Sequence, residues 1–360
     1  MAVSATKVVV ISIFLILGMV LAGVLMQPEA SLQAWDVKES SFPANESQKE
    51  KLAFLLNYAI LAPSSHNSQP WKFNVTNDSI LVFADESRWL QVADADKREL
   101  HISLGCALEN LIMAADHFGY NSTVTYFPGE KDLAAIVRLV PASSSSADPR
   151  LFPAILSRQT NRNLYEPRAI SDSDLESMKS ISSDADNSIF VTSDLATKKS
   201  FQDLTTRANV IQYSDADFKS ELGHWIGQGV MGPRGVQAIM AQLAVVFLDV
   251  GPEQTEKDAQ LINSTPYLGF ISTANNDSLS SVKAGRTLER FWLCATALGI
   301  SLQPMSQALE TAQIRENLSG LLPAQSSMKE VQQVFRLGYA KPAPEHSTRR
   351  PLADVMITDQ

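Results

Sequence analysis

Two stretches of this 360-residue chain, GCALENLIMAADHFGY (Gly105 to Tyr120) and GRTLERFWLCATALGI (Gly285 to Ile300), align at a shift of 180 residues. They share Gly105/Gly285, Leu108/Leu288, Glu109/Glu289, Ala115/Ala295 and Gly119/Gly299. In the first, the apolar positions Leu104, Leu108, Leu111, Ala115 and Phe118 draw one stripe down a helix. Gly119 stands where a left-handed residue closes such a helix. Long helices with one buried stripe at matching places in two halves are what a duplicated domain shows. The competing explanation is chance likeness between two core helices drawn from Ala and Leu.

Between an apolar run, Leu52 to Leu61, and the strand-like KFNV lies the turn APSSHNSQPW, Ala62 to Trp71. The residue before a proline is pushed out of the helical region, so a helix reaching Pro63 stops near Ala62. The turn beyond it can present backbone N–H groups and short polar side chains to a flat polar ligand, with Trp71 anchoring its base. Read blandly, it is a surface loop with an Asx or Ser turn.

Hydrophobic residues make up 45% and charged residues 19% of the chain, as in ordinary globular domains. A net charge of −9 and no Lys/Arg run argue against nucleic acid as a partner. Cys106 and Cys294 fall in apolar helical stretches and read as small buried hydrophobes. The five histidines have no ligand spacing, and no metal site is expected.

Val8 to Met26 is an almost unbroken apolar run, close to the ~20 residues that cross a bilayer core. It reads as an uncleaved N-terminal transmembrane helix, with a cleaved signal as the alternative. Lys7 before it and Glu29, Asp36 and Glu39 after it leave the body outside the cytoplasm by the positive-inside rule. Seven N-x-S/T sequons agree with an exported body, or arise by chance in a Ser- and Thr-rich chain. Gln27 to Gln48 and the low-complexity PASSSSADP read as linkers. Strands are expected at Trp71–Val75, Ile80–Phe83, Val124–Phe127, Ala135–Leu139, Ile189–Thr192, Ala244–Leu248, Tyr267–Thr273 and Val334–Ala340.

Arg158, Thr160 and Arg162 stand in SRQTNRNLY as R-x-T-x-R, and Arg349 and Arg350 lie in the tail HSTRRPLADVM. Each cluster alone reads as a solvated basic face. Together with the Pro63 turn and DADKRELHISLGCALEN they resemble the nitroreductase family, and within it the Acg-like branch of fused pseudo-dimers, over about residues 45 to 358. That resemblance implies an α+β fold of two tandem degenerate halves, antiparallel sheets flanked by helices, behind the N-terminal helix. The divisions are 1–30 for the anchor, 31–145 for half one and 146–360 for half two.

The resemblance also implies FMN as cofactor, one per chain. Pro63, Ser64, Ser65 and Asn67 would contact it from half one. Arg158, Thr160 and Arg162, with Arg349 or Arg350, would hold its phosphate from half two. Gln303, Pro304 and Met305 would place donors near the flavin N5, and Gly223–Gly235 would form a lid or an ordinary loop. A phosphate dianion asks for charge-assisted donors, best met by arginines and a hydroxyl. No side chain is needed as a catalyst beyond the flavin. The implied activity is reduction of nitroaromatic, quinone or similar acceptors, with NAD(P)H as candidate donor; the alternative is a flavin-storing protein with little turnover. A chain carrying both halves can work as a monomer.

Overall fold

The structure, a computed structural model, describes residues 18, 23–25, 27, 31–142, 148–181, 184–343 and 345–357. The expected membrane helix and the PASSSSADP linker lie largely outside these residues. Among the described residues no single helix is long and apolar enough to cross a membrane.

Helix α1 (Gln48–Ala59) begins on a capping box in which the Ser47 hydroxyl accepts the Glu50 N–H and the Glu50 carboxylate accepts the Ser47 N–H. Strands β1 (Trp71–Val75) and β2 (Ser79–Ala84) come next as a hairpin, then α2 (Arg98–His117), β3 (Tyr120–Tyr126) and β4 (Leu133–Pro141). The second part runs through α3 (Leu151–Ser157), α4 (Asp172–Lys179) and β5 (Asn187–Thr192). Four helices then intervene: α5 (Leu195–Ser214), α6 (Ala216–Gly227), α7 (Val236–Phe247) and α8 (Gly251–Ser264). The chain closes with β6 (Tyr267–Thr273), α9 (Ser278–Ala297), β7 (Ser301–Pro304), short helices α10 (Gln307–Glu310) and α11 (Ala312–Arg315), β8 (Glu330–Gly338) and α12 (Leu352–Val355).

The strands form two four-stranded antiparallel sheets, in the orders β1-β2-β4-β3 and β5-β6-β8-β7. The order is the same, and each second strand carries one register shift, at Val82/Phe83 and at Ile271/Ser272. A shift of 180 residues carries the bounds of α2 onto those of α9. Both end on a glycine in the left-handed region, Gly119 (φ 80°) and Gly299 (φ 71°).

The two helices cross where their glycines meet. A Cβ on Gly105 would lie 2.1 Å from the Val282 carbonyl oxygen, and one on Gly285 would lie 2.1 Å from that of Ile102. The same shift carries Ile102 onto Val282, so the contact is reciprocal, as across a two-fold axis. Backbone approach this close admits no side chain at the crossing. Around it lies the main core, built from α1, α2, α9 and the inner faces of both sheets.

Two expectations are corrected. Ala244–Leu248 is the end of helix α7, not a strand, because the apolar pattern from Val236 carries the helix through the β-branched pair Val245 and Val246. Gln27–Gln48 is not a free linker: Ser31 pairs with Arg349 across an isolated bridge, and Trp35 stacks on His346 at 3.9 Å.

Candidate functional site

The turn after α1 is held in unusual backbone geometry. His66 (φ 48°), Asn67 (φ 51°) and Gln69 (φ 53°) all sit in the left-handed region. For residues other than glycine such conformations are costly and persist where surrounding contacts impose them. Here the contacts are visible. The Ser64 hydroxyl accepts the Gln69 N–H (2.9 Å), and Ser103 on α2 accepts the Ser65 N–H (3.3 Å). Arg88 donates to the Ser68 carbonyl.

The N–H groups of Asn67 and Ser68 bond back to Ser64 and Ser65. The backbone donors of Ser65, Asn67, Ser68 and Gln69 are thus already engaged within the turn and its support. Pro63 and Ser65 frame it, half-buried.

Arg158 and Arg349 meet under this turn. Arg158 caps α3 and Arg349 sits in the tail, yet both donate to one carbonyl, that of Leu61, at 2.9 and 2.8 Å. Arg349 also donates to the Asn67 side-chain oxygen (3.2 Å). The Asn67 amide group donates in turn to the carbonyls of Thr348 (3.0 Å) and Val230 (2.8 Å). Each guanidinium lies over an indole, Arg158 on Trp292 and Arg349 on Trp35. Arg350 is fastened separately, to the Gln69 carbonyl (3.0 Å) and Asp85 (3.2 Å).

The electrostatics are those of concentrated, poorly compensated charge. Both arginines are buried, and one carboxylate, Glu289 of α9, approaches Arg158 at 3.0 Å without hydrogen-bond alignment. Burial, and then the neighbouring Arg158, brings Arg349 down to about 9. Burial pushes Glu289 up to about 7 against the pull of both arginines. Arg349 Nε and Thr348 Oγ1 are buried with no partner. Half-buried His66 has an unpartnered Nδ1 and is held by desolvation at about 4.

The remaining expected residues divide. In R-x-T-x-R only Arg158 reaches the pair. The segment is extended, which places residues four apart ~13 Å from each other. Arg162 is exposed and stands near Arg336 and Tyr165, and Thr160 forms a bridge with Leu302. Gln303, Pro304 and Met305 are partly engaged within the fold. The Gln303 side-chain oxygen accepts from buried Arg336 (2.7 Å), Pro304 has no N–H, and the Met305 N–H is taken by Val334 (2.8 Å).

Of the glycine-rich stretch, Gly223–Gly227 is the last turn of α6, and only the residues beyond Gly227 form a loop. Val230 in that loop covers Asn67, and Trp225 lies under Arg88 at 5.0 Å. Beside the turn, Ser65, Ser68, Arg88, Trp89 and Leu100 line a crevice too tight to admit a water molecule.

Sequence reading missed Glu289, Gln69, Arg88, Ser103 and Arg336. Glu289 had a signal, since it is a charged residue inside the repeated apolar helix and matches Glu109. Glu109 is likewise buried, paired with Arg286 (2.9 Å) and Arg290 (2.6 Å).

The chain is thus an α+β protein with two sheets of like topology, in which a buried arginine pair meets a strained Ser/Asn turn. No family model matches the chain. It is 27% identical, over 74% of its length and 79% of the relative's, to a Mycobacterium tuberculosis H37Rv protein provisionally named an NAD(P)H nitroreductase. It is 23% identical to the similarly named Acg of that strain, over 82% and 92% of the two chains. PigM of Serratia sp., also named an NAD(P)H nitroreductase, is 22% identical over 75% and 84%.

A nitroreductase with bound FMN from Desulfitobacterium hafniense superposes with a TM-score of 0.39 at 13% identity, over 59% of this chain and 100% of that one. That overlap is too loose to carry weight. The motifs and the related sequences agree: the chain is similar to proteins named NAD(P)H nitroreductases, Acg among them.

Proposed function

We propose that the chain is an FMN-dependent oxidoreductase of nitroreductase type, whose single flavin site lies where the Ser64–Gln69 turn meets Arg158 and Arg349. The observation that carries this is the convergence of two buried guanidiniums, from sequence positions 191 residues apart, on one carbonyl beside Asn67. A backbone carbonyl is a weak acceptor for two buried cations, whereas a phosphate dianion offers several charged oxygens to the same donors. The unpartnered Arg349 Nε and Thr348 Oγ1 supply further donors. The phosphate end of FMN thus fits the residues present.

When bound, the flavin supplies the redox chemistry. The chain's part is to hold the phosphate through Arg158 and Arg349, to seat the ring against the turn, and to shield it through Val230 and Trp225. The named relatives favour NAD(P)H as donor, and nitroaromatics or quinones fit as acceptors. Storage of flavin with little turnover is the second reading, favoured by the fastening of Val230 onto Asn67 and of Arg88 over Trp225.

The fused organisation belongs to the same proposal: halves 31–145 and 146–360 are tandem copies that form one complete site and work as a monomer. The repeated helix, the common strand order and the reciprocal glycine contact support it. The proposal extends to the N-terminus, where Val8–Met26 anchors the chain in a membrane with the body outside the cytoplasm; the length and apolar character of the run support this.

The test is flavin content. The purified protein is expected to carry one FMN per chain, and Arg349→Lys, which keeps a charge but loses the forked geometry, to lose flavin about tenfold more readily. Absence of flavin absorbance together with failure to bind added FMN overturns the reading. Oxidation of NAD(P)H by a quinone or a nitroaromatic then separates catalyst from store.

A further inference from the structure

Helix α7, VQAIMAQLAVVF, contains no charged residue. A helix apolar all round belongs inside a protein or a membrane. Only Ala238 and Ile239 of α7 are buried. Its other side stands open: Val236, Met240, Leu243 and Phe247 are 57, 57, 37 and 75% exposed, with Leu248 beyond them at 60%. Their spacing of four, three and four puts them on one face. Gln242 turns the other way and packs on the glycine face of α6, where a Cβ on Gly227 would strike its side chain at 2.0 Å.

What covers this face is indicated by where the N-terminal chain joins it. The apolar run Val8–Met26 ends one residue before Gln27. The Gln27 side chain is pinned at the start of α7, donating to the carbonyls of Gly227 (2.9 Å) and Gly235 (3.2 Å) and accepting the Gly235 N–H (3.2 Å). Gly23 lies against Ile239, where a Cβ would meet its Cδ1 at 2.9 Å. Leu25 beside it is 76% exposed. The last described residues of a run long enough to span a bilayer thus lie at the start of α7, next to its open apolar face.

We propose that the exposed face of α7 lies on the lipid bilayer, seated in the interface beside the N-terminal anchor. The proposal rests on the anchor reading. Anchoring brings the face to the membrane at high local concentration, so a single 12-residue helix is enough to hold it there. With a net charge of −9 the body has no attraction to anionic headgroups, and the contact is apolar in kind. Because α7 comes directly after the Gly229–Gly235 loop that covers Asn67, docking turns the covering loop toward the membrane.

The experiment uses the full chain in phosphatidylcholine liposomes, labelled with an environment-sensitive dye at Met240→Cys or, separately, at Phe247→Cys. Cys106 and Cys294 are buried and do not compete for label. Doxyl-labelled phosphatidylcholine is expected to quench both positions about twofold or more, independently of salt, and to leave a label at exposed Val140→Cys unaffected. A chain that floats with the liposomes yet shows no quenching at either position overturns this proposal and leaves the anchor standing. A chain that does not float overturns both. Protection of the labels without quenching, accompanied by cross-linked dimers, assigns the face to a second copy and likewise overturns it.

Discussion

At the scale of single residues the site depends on donors and acceptors being in the right order. Asn67 uses its amide as both: Nδ2 donates to Val230 and Thr348 while Oδ1 accepts from Arg349. Asn67→Asp keeps the shape and removes the donor, so a carboxylate would face two carbonyl oxygens. Unpaired polar contact of this kind costs about 1–3 kcal/mol. The loop over the turn is then released, and trypsin cleavage after half-exposed Arg234 is expected to quicken about tenfold in limited proteolysis. Unchanged cleavage would show that Val230 is held by something other than this amide.

The sequence made Asn67 and Arg158 visible as motif members. It did not make Glu289 visible as their neighbour, because a helical stripe tells which side is buried and not what chemistry lies across the seam. Gln69 was hidden for a similar reason: its left-handed backbone comes from contacts with Ser64 and Arg350 that no local pattern encodes.

At the scale of elements, the α2–α9 crossing is the joint of the molecule. Gly105→Ala places a methyl 2.1 Å from the Val282 oxygen and 2.9 Å from the Gly285 Cα, both backbone atoms that cannot swing aside. The helices must separate, and overpacking of this kind costs about 1–3 kcal/mol or more, read as a lowered midpoint in urea. Gly285→Ala is expected to cost a similar amount, since its contact with Ile102 mirrors the first. The double variant should cost less than the sum, because one displacement of the helices relieves both clashes. Strict additivity would mean that the two glycines do not share a joint.

The pair of helices was legible from the 180-residue repeat, and so were most strands, because alternation in a sheet and a stripe on a helix are local properties. The four helices between β5 and β6 were legible only in part. Val245 and Val246 favour strand by propensity, and packing against α6 overrides it.

At the scale of the whole molecule, stability should depend on a few buried acids. Burial pushes Asp94 up to about 7 with Glu99 adding to it, Glu289 up to about 7, and Glu310 up to about 8, with Glu99 and Asp94 raising the last and Arg98 opposing them. Each keeps its proton in the fold at a pH where the unfolded chain has released it, so the stability it contributes is lost as pH rises through those values.

His66 and His346 work the opposite way. Both are held at about 4 by desolvation, so they stay neutral in the fold, and their contribution is lost as pH falls below the unfolded value of 6.5. Between about 4.5 and 6.5 the two sets largely offset one another; above 6.5 only the carboxyls remain. Stability is therefore expected to fall from pH 6.5 to 8.5 by on the order of 2 kcal/mol, which lowers the melting temperature by about 3 °C. Glu310→Gln keeps the hydrogen bond from the Gln212 amide at 2.8 Å and removes the titration, so its melting curve should fall less over the same interval. Calorimetry at the two pH values decides it, and a melting temperature that climbs with pH across that range would mean that these carboxyls are ionised in the fold.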